Sequence, residues 1–323
     1  MFEKCTPGQG GGFMQLNQTA KKEILIAGAT GYIGRKLKLR LMEHNDLSLR
    51  LLVRDPARLS AAARQECSVV KGDTFDTGSL DNAVAGIDTA FYLIHSMGSG
   101  SDYARRDRIS AENFRRACEN AGVKKIVYLG GLGEKESASE HLLSRIETGE
   151  ILSATQNDIT HTLWLRAGVI IGAGSASFRI IRDLTRKLPV MITPKWVTTR
   201  TQPIAVDDVI NYLEASIDLD LQENIKVDIG TSATDFRGLM YQAATSMGLK
   251  RRIIPLPFFS PHLSSYWLVF ITQVPFSIAS ALIEGLKSET VATNDNAAVY
   301  FPHIHPMSLE QAFAKALQET ALD

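Results

Sequence analysis

The stretch Glu23-Ile-Leu-Ile-Ala-Gly-Ala-Thr-Gly-Tyr-Ile-Gly34 limits what this chain can fold into more than any other. Ile24 to Ala27 is a short apolar run with the character of a buried strand. Gly28, Gly31 and Gly34 follow at three-residue spacing, and Ile33, Leu37 and Leu41 then fall at helical intervals. A strand, a glycine turn and a helix start, in that order, make a cradle for a dinucleotide pyrophosphate. Amides at the helix N-terminus face the phosphates, and the helix dipole favours their charge. Gly28 permits the tight turn, Gly31 lets the backbone approach the pyrophosphate, and Gly34 lets the helix lie close to the strand. Thr30, Tyr32 and Ile33 share the turn and are further cofactor-binding candidates. The alternative is an ordinary strand–helix turn, which would need no ligand.

From residue 23 to about 130 strands and helices alternate. Strands are expected at Leu47–Val53, Ser68–Lys71, Thr89–Ile94 and Lys125–Leu129, with helices at Pro56–Gln65, Ser79–Ala85 and Asp102–Ala121. That rhythm implies right-handed crossovers and a doubly wound parallel α/β sheet of the Rossmann type, covered on both faces. Ligands of such sheets sit beyond the carboxyl ends of the strands, so strand-end residues are the site candidates. Arg54 follows the second strand, where an NAD-specific protein usually carries an acid. A guanidinium there suits a 2′-phosphate, so the expected cofactor is NADP, with NAD as the alternative. Arg35 is a second candidate phosphate contact, and both arginines would otherwise be solvated surface residues. Asp73 and Thr74 follow the third strand, where a carboxylate can hold the adenine amino group or simply form a turn. Ile94 and His95 follow the fourth, beside the expected ribose, and His95 is also a candidate proton carrier.

Within residues 176–323 a smaller mixed α/β lobe is expected, with segments at about 200–230 returning to the sheet of residues 23–175. Its expected helices are Ser177–Lys187, a helix from Asp207 (a candidate N-cap) to Ile217, Phe236–Met247 and Ser308–Leu317, with a strand at Lys226–Gly230. Ser260 to Leu286 is strongly apolar but interrupted by Thr272, Gln273 and Pro275. It is expected to line an apolar cleft rather than to span a membrane, with peripheral membrane contact as the alternative. Residues 1–22, with Pro7-Gly-Gln-Gly-Gly-Gly12, are expected to be a disordered extension without a signal peptide. Basic and acidic residues balance at 35 each, so no nucleic-acid partner is expected. Cys5, Cys67 and Cys118 are scattered, which suits a reducing cytoplasm and offers no metal site.

The glycine turn, Val53-Arg54-Asp55-Pro56, Gly72-Asp73 and Tyr128-Leu-Gly-Gly-Leu-Gly133 together resemble the atypical and extended short-chain dehydrogenase/reductase superfamily, in particular its NmrA-like branch. The resemblance continues through His141–Glu150, Leu165–Gly172 and Gln202–Asp208. It implies an NAD(P)-binding oxidoreductase. Two departures stand out. Typical members carry a Ser after the fifth strand and Tyr-x-x-x-Lys on the next helix, with the Tyr moving the proton. Here the corresponding residues are Gly130-Gly131 and His141-x-x-x-Arg145. His141 and Arg145 are therefore the catalytic candidates, His141 as an acid and Arg145 as a ribose or phosphate contact. Two functions follow: an NADP-dependent oxidoreductase of an apolar small molecule, or a non-catalytic NADP(H)-binding sensor or assembly protein.

Overall fold

The computed structural model describes residues 21–95, 102–256, 285 and 288–322. Seven parallel strands form its central sheet. They are β1 (Lys22–Ala27), β2 (Leu47–Val53), β3 (Ser68–Lys71), β4 (Thr89–Tyr92), β5 (Lys125–Gly131), β6 (His161–Ala167) and β11 (Ile225–Ile229), in the order β11-β6-β5-β4-β1-β2-β3. The order reverses between β1 and β4, which opens a crevice at their carboxyl ends.

Both faces are covered because the strands are apolar on both sides. In β1, Ile24 and Ile26 join one core and Leu25 and Ala27 the other, all fully buried. The first core takes α1 (Tyr32–Leu41), α2 (Ala61–Glu66) and α7 (Val206–Ala215), through Leu37, Leu41, Ala63, Val209 and Leu213. The second takes α3 (Thr77–Val84), α4 (Tyr103–Ala121) and α5 (Glu140–Ser153), through Leu80, Phe114, Leu142 and Ile146. Each large buried aliphatic contributes roughly 1.5–3 kcal/mol.

A third core belongs to the second half. There α6 (Ala176–Lys187), α8 (Phe236–Ser246) and α10 (Leu309–Leu322) pack around Phe178, Leu239 and Phe313. Short two-stranded sheets accompany them: β7 (Ile170–Ile171) with β10 (Ile204–Ala205), β8 (Val190–Pro194) with β13 (Arg252–Leu256), and β9 (Arg200–Thr201) with β12 (Thr234–Asp235). The edge strand β11 is covered by side-chain amides next to and within α9 (Asn296–Tyr300). Asn294 accepts from the Asp228 N–H, and Asn296 donates to the Lys226 carbonyl.

Several expected elements differ in detail. Pro56–Gln65 is not one helix. A 3-10 turn covers Pro56–Arg58, and α2 starts anew because the Ser60 hydroxyl accepts from the Ala63 N–H. Asp207 is not an N-cap, because α7 is preceded by Ala205 with no side-chain cap. Its carboxylate instead pairs with Lys315 at 2.6 Å and Lys36 at 3.5 Å, joining α7 to α10 and α1. No helix among the described residues is long and apolar enough to cross a membrane. Residues 1–20 of the expected extension and all of Ser260–Leu286 but Gly285 lie outside the described residues.

Candidate functional site

At the crevice between β1 and β4, Gly28 takes a left-handed φ of 96°, and a side chain there would meet the Leu93 carbonyl at 2.6 Å. A Cβ on Gly34 would run into the Gly28 carbonyl, so the start of α1 can lie this close to β1 only without one. Gly31 differs. Its backbone is extended (φ −73°), and a Cβ would meet only the Gly28 carbonyl, at 3.3 Å. The turn thus leaves open space in front of Gly31. No side chain caps the first turn of α1 and no acid stands in it, which leaves its amides for an anion.

A cleft of about 350 Å³ opens there. Gly28, Thr30 and Gly31 line it from the turn, Arg54 and Arg58 from the end of β2, Asp73 and Thr74 from the end of β3, and Ile94 and His95 from the end of β4. Phe75, Arg106 and Ser110 close it. Arg54, Arg58 and Arg106 are exposed, and their guanidinium groups make no hydrogen bond or ion pair among the described residues; Arg106 lies over the Phe75 ring, 5.0 Å from its centroid. The loop carrying Asp73 is firmly set. Asp73 Oδ1 accepts from the Phe75 N–H at 3.2 Å, so the residue is a turn former as well as a lining group. The Ser110 hydroxyl donates to Thr74 Oγ1 at 2.6 Å, and Asn113 donates to the Thr74 carbonyl.

Other expected residues lie elsewhere. Ile33, Gly34 and Arg35 do not line the cleft. Arg35 stands exposed on α1, one residue beyond the turn, because a helix rotates each successive side chain by about 100°. Tyr32 packs against Gly172 and Gly174 instead, and burial pushes its phenol up to about 12. His141 stacks on Tyr103 at 4.4 Å between centroids, and Arg145 donates to the Leu129 carbonyl at 3.2 Å; neither lines the cleft. The absence of a serine after β5 has a packing reason as well. A Cβ on Gly130 would strike the Trp164 indole, and one on Gly149 of α5 would strike the same ring.

Sequence reasoning missed Arg58, Phe75 and Arg106. Arg58 had a signal, being four residues past Arg54 on the same strand-end loop, but the expected helix over Pro56–Gln65 hid it. Phe75 and Arg106 come from segments 31 residues apart and have no local signature. Also missed was Asp107 of α4. Its Oδ2 lies 3.3 Å from His95 Nδ1, with the carboxylate side chain 5% and the imidazole 22% exposed. Ser144 Oγ donates to the same carboxylate oxygen at 3.1 Å. Burial pulls the His95 imidazole below its ordinary range; Asp107 opposes that pull and Arg145 adds to it.

Known proteins share this frame. Residues 28–159 match a family model described as NAD(P)H-binding. The dihydroflavonol 4-reductase of Hordeum vulgare is 28% identical over 127 residues, which is 35% of this chain and 36% of that protein. The chain spans only about a third of the length of the first curated relatives it matches. The ceramide reductase of Caulobacter vibrioides is 24% identical over 241 residues, 74% of each protein. Among solved structures, an NADPH-dependent quinone oxidoreductase of Escherichia coli has a TM-score of 0.70 at 20% identity, covering 90% of this chain and 98% of that one. That last likeness is one of fold.

Proposed function

We propose, on the premise that the chain is an NAD(P)H-binding member of the atypical short-chain dehydrogenase/reductase superfamily, that it is an NADPH-dependent oxidoreductase of an apolar carbonyl or enone. The carrying observation is the trio Arg54, Arg58 and Arg106, three guanidinium groups without an ion pair among the described residues, lining a cleft that also takes in the glycine turn. Exposed cations with no partner in a cleft suit a phosphate, and the end of β2 is where the adenosine 2′ position falls in this fold.

The lining residues suit the adenosine and pyrophosphate parts of the cofactor. The turn from Gly28 to Gly31 would hold the pyrophosphate through amides, Asp73 the adenine, and Ile94 and His95 would flank a ribose. When bound, the dinucleotide supplies a hydride. Asp73 orients the base, the arginines select the phosphorylated form, and the Gly31 position sets how deep the phosphates sit. The nature of the substrate rests on the relatives. One similar protein is named for a ceramide and another for a quinone, and both are largely apolar molecules.

Calorimetric titration with NADPH and NADH, followed by NADPH consumption against quinones, enones and long-chain ketones, tests the reading. Tighter NADPH binding and turnover of at least one apolar class are expected. Equal affinity for the two cofactors would remove the arginine argument. Tight binding without turnover across the panel would remove the enzyme.

A further inference from the structure

A reductase needs a group that gives a proton to the new alkoxide oxygen, and this chain lacks the usual helix-borne tyrosine. The buried tyrosines nearby are already committed. Tyr128 donates its hydroxyl to the Arg145 carbonyl at 3.0 Å, and burial pushes it up to about 12. Tyr92 shares a hydrogen bond with Ser110 at 2.7 Å inside the second core. His141 rests on Tyr103 outside the cleft lining. Of these proton carriers and His95, only His95 lines the cleft.

His95 is also held as a proton carrier should be. Its Nδ1 faces the Asp107 carboxylate at 3.3 Å, and that carboxylate is fixed by Ser144 at 3.1 Å, with Thr148 Oγ1 donating to the Ser144 carbonyl. A carboxylate at Nδ1 keeps the proton on that nitrogen, orients the ring and stabilises the imidazolium, leaving Nε2 to exchange a proton with a substrate. We infer that His95 is the catalytic acid–base of the proposed reaction and that Asp107 and Ser144 are its positioning residues. This inference rests on the oxidoreductase reading above.

The step balances without a further reagent. The dinucleotide, when bound, would supply the hydride for the new C–H bond, with the carbonyl π pair passing to oxygen. The His95 Nε2–H of the imidazolium supplies the proton that closes the O–H bond. The N–H bonding pair stays on Nε2, and the neutral ring regains its proton from water. In the reverse direction the neutral ring accepts the alcohol proton.

Charged neighbours set the pH at which this works. Asp107 on α4 faces the ring and favours its charged form, while Arg145 and His141 on α5 oppose it; burial is the largest effect and also opposes it. Arg106, Arg54, Arg58 and Asp73 line the same cleft. The net displacement is downward, so reduction should slow as pH rises through a value below that of an ordinary histidine.

Two measurements test the inference. In ligand-free protein, the His95 ring signal, identified by its loss in His95→Gln, is titrated by NMR. Asp107→Asn should lower its pKa by roughly one unit. Should that variant fail to fold, Ser144→Ala should move the pKa in the same direction by less. In turnover with NADPH and whichever quinone, enone or ketone the wild type reduces, His95→Gln should lose about 10²–10⁴ in kcat. The pH profile of the Asp107 or Ser144 variant should move with its NMR pKa. A His95 pKa unmoved in both variants, or wild-type kcat in His95→Gln, overturns the inference while the oxidoreductase reading stands. A wild type that binds NADPH and reduces nothing overturns both.

Discussion

The two ends of the central sheet treat charge in opposite ways. At the amino ends lies the larger hollow, about 600 Å³, lined by Lys22, Asp88, Lys124, Lys125, Asp218 and their neighbours. These five charges are spent on one another or on the backbone. Lys22 pairs with Asp218, Lys124 with Asp88, and Asp88 also accepts from the Glu23 N–H. Lys125 donates to the Ser216 and Ile217 carbonyls at the end of α7, and burial pulls its pKa down to about 8. At the carboxyl ends the cleft is smaller, yet Arg54, Arg58 and Arg106, which share it with Asp73, make no ion pair among the described residues. Volume alone would choose the amino ends. Unspent charge beside uncapped amides is the better mark of a binding site, because the ligand must supply what the fold has left unpaired.

Substitutions at both ends can break that contrast, and the largest effect belongs to the turn. Gly31→Val should fold, since its extended backbone accepts any residue, but its side chain would fill the space before the amides. NADPH affinity should fall roughly 100-fold or more, about 2.7 kcal/mol, by calorimetry, with an unchanged melting profile. Normal binding in this variant would move the phosphates off the turn. Next in size, Arg54→Ala should cost about ten- to a hundredfold in NADPH affinity, the worth of one charge-assisted contact at roughly 1.5–3 kcal/mol. NADH affinity should hardly change, and a preference that survives the substitution would reassign the 2′-phosphate. Smallest is Lys22→Ala at the opposite end. An exposed pair of this kind is worth about 0–1 kcal/mol, so urea denaturation should shift only slightly and NADPH affinity not at all. A cofactor effect there would erase the distinction between the two ends.

What could be read from the chain alone follows the same division between local and distant. The turn was legible because strand, glycines and helix lie within twelve residues, and each leaves its own pattern in Glu23–Gly34. Arg54, Asp73 and His95 were found because strand ends can be located from apolar runs without knowing which strands are neighbours. Arg35 was expected beside the phosphates but does not line the cleft, because proximity in sequence to Gly34 says nothing about rotation around α1. His141 and Arg145 were read from the helix position that usually carries the tyrosine and lysine, but their side chains are engaged by Tyr103 and Leu129. The pairing of His95 with Asp107 and the meeting of Phe75 with Arg106 depend on how α4 lies across the sheet. No spacing rule encodes that crossing. The Asp207 cap failed for a different reason: the carboxylate had stronger partners in Lys36 and Lys315, contributed by helices far away in the chain.

Gly130, Gly149 and Trp164 carry a consequence for the redesign of this protein. The indole occupies the room that both missing side chains leave on facing elements, so the three positions are matched by size. A serine introduced at 130 alone would collide with a buried ring, and a smaller residue at 164 alone would leave a void bordered by two glycines, costing about 3–5 kcal/mol for a tryptophan cut to alanine. Either single step passes through a poorly folding intermediate. The trio therefore acts as an epistatic lock: a side chain at 130 or 149 can be installed only together with a smaller residue at 164.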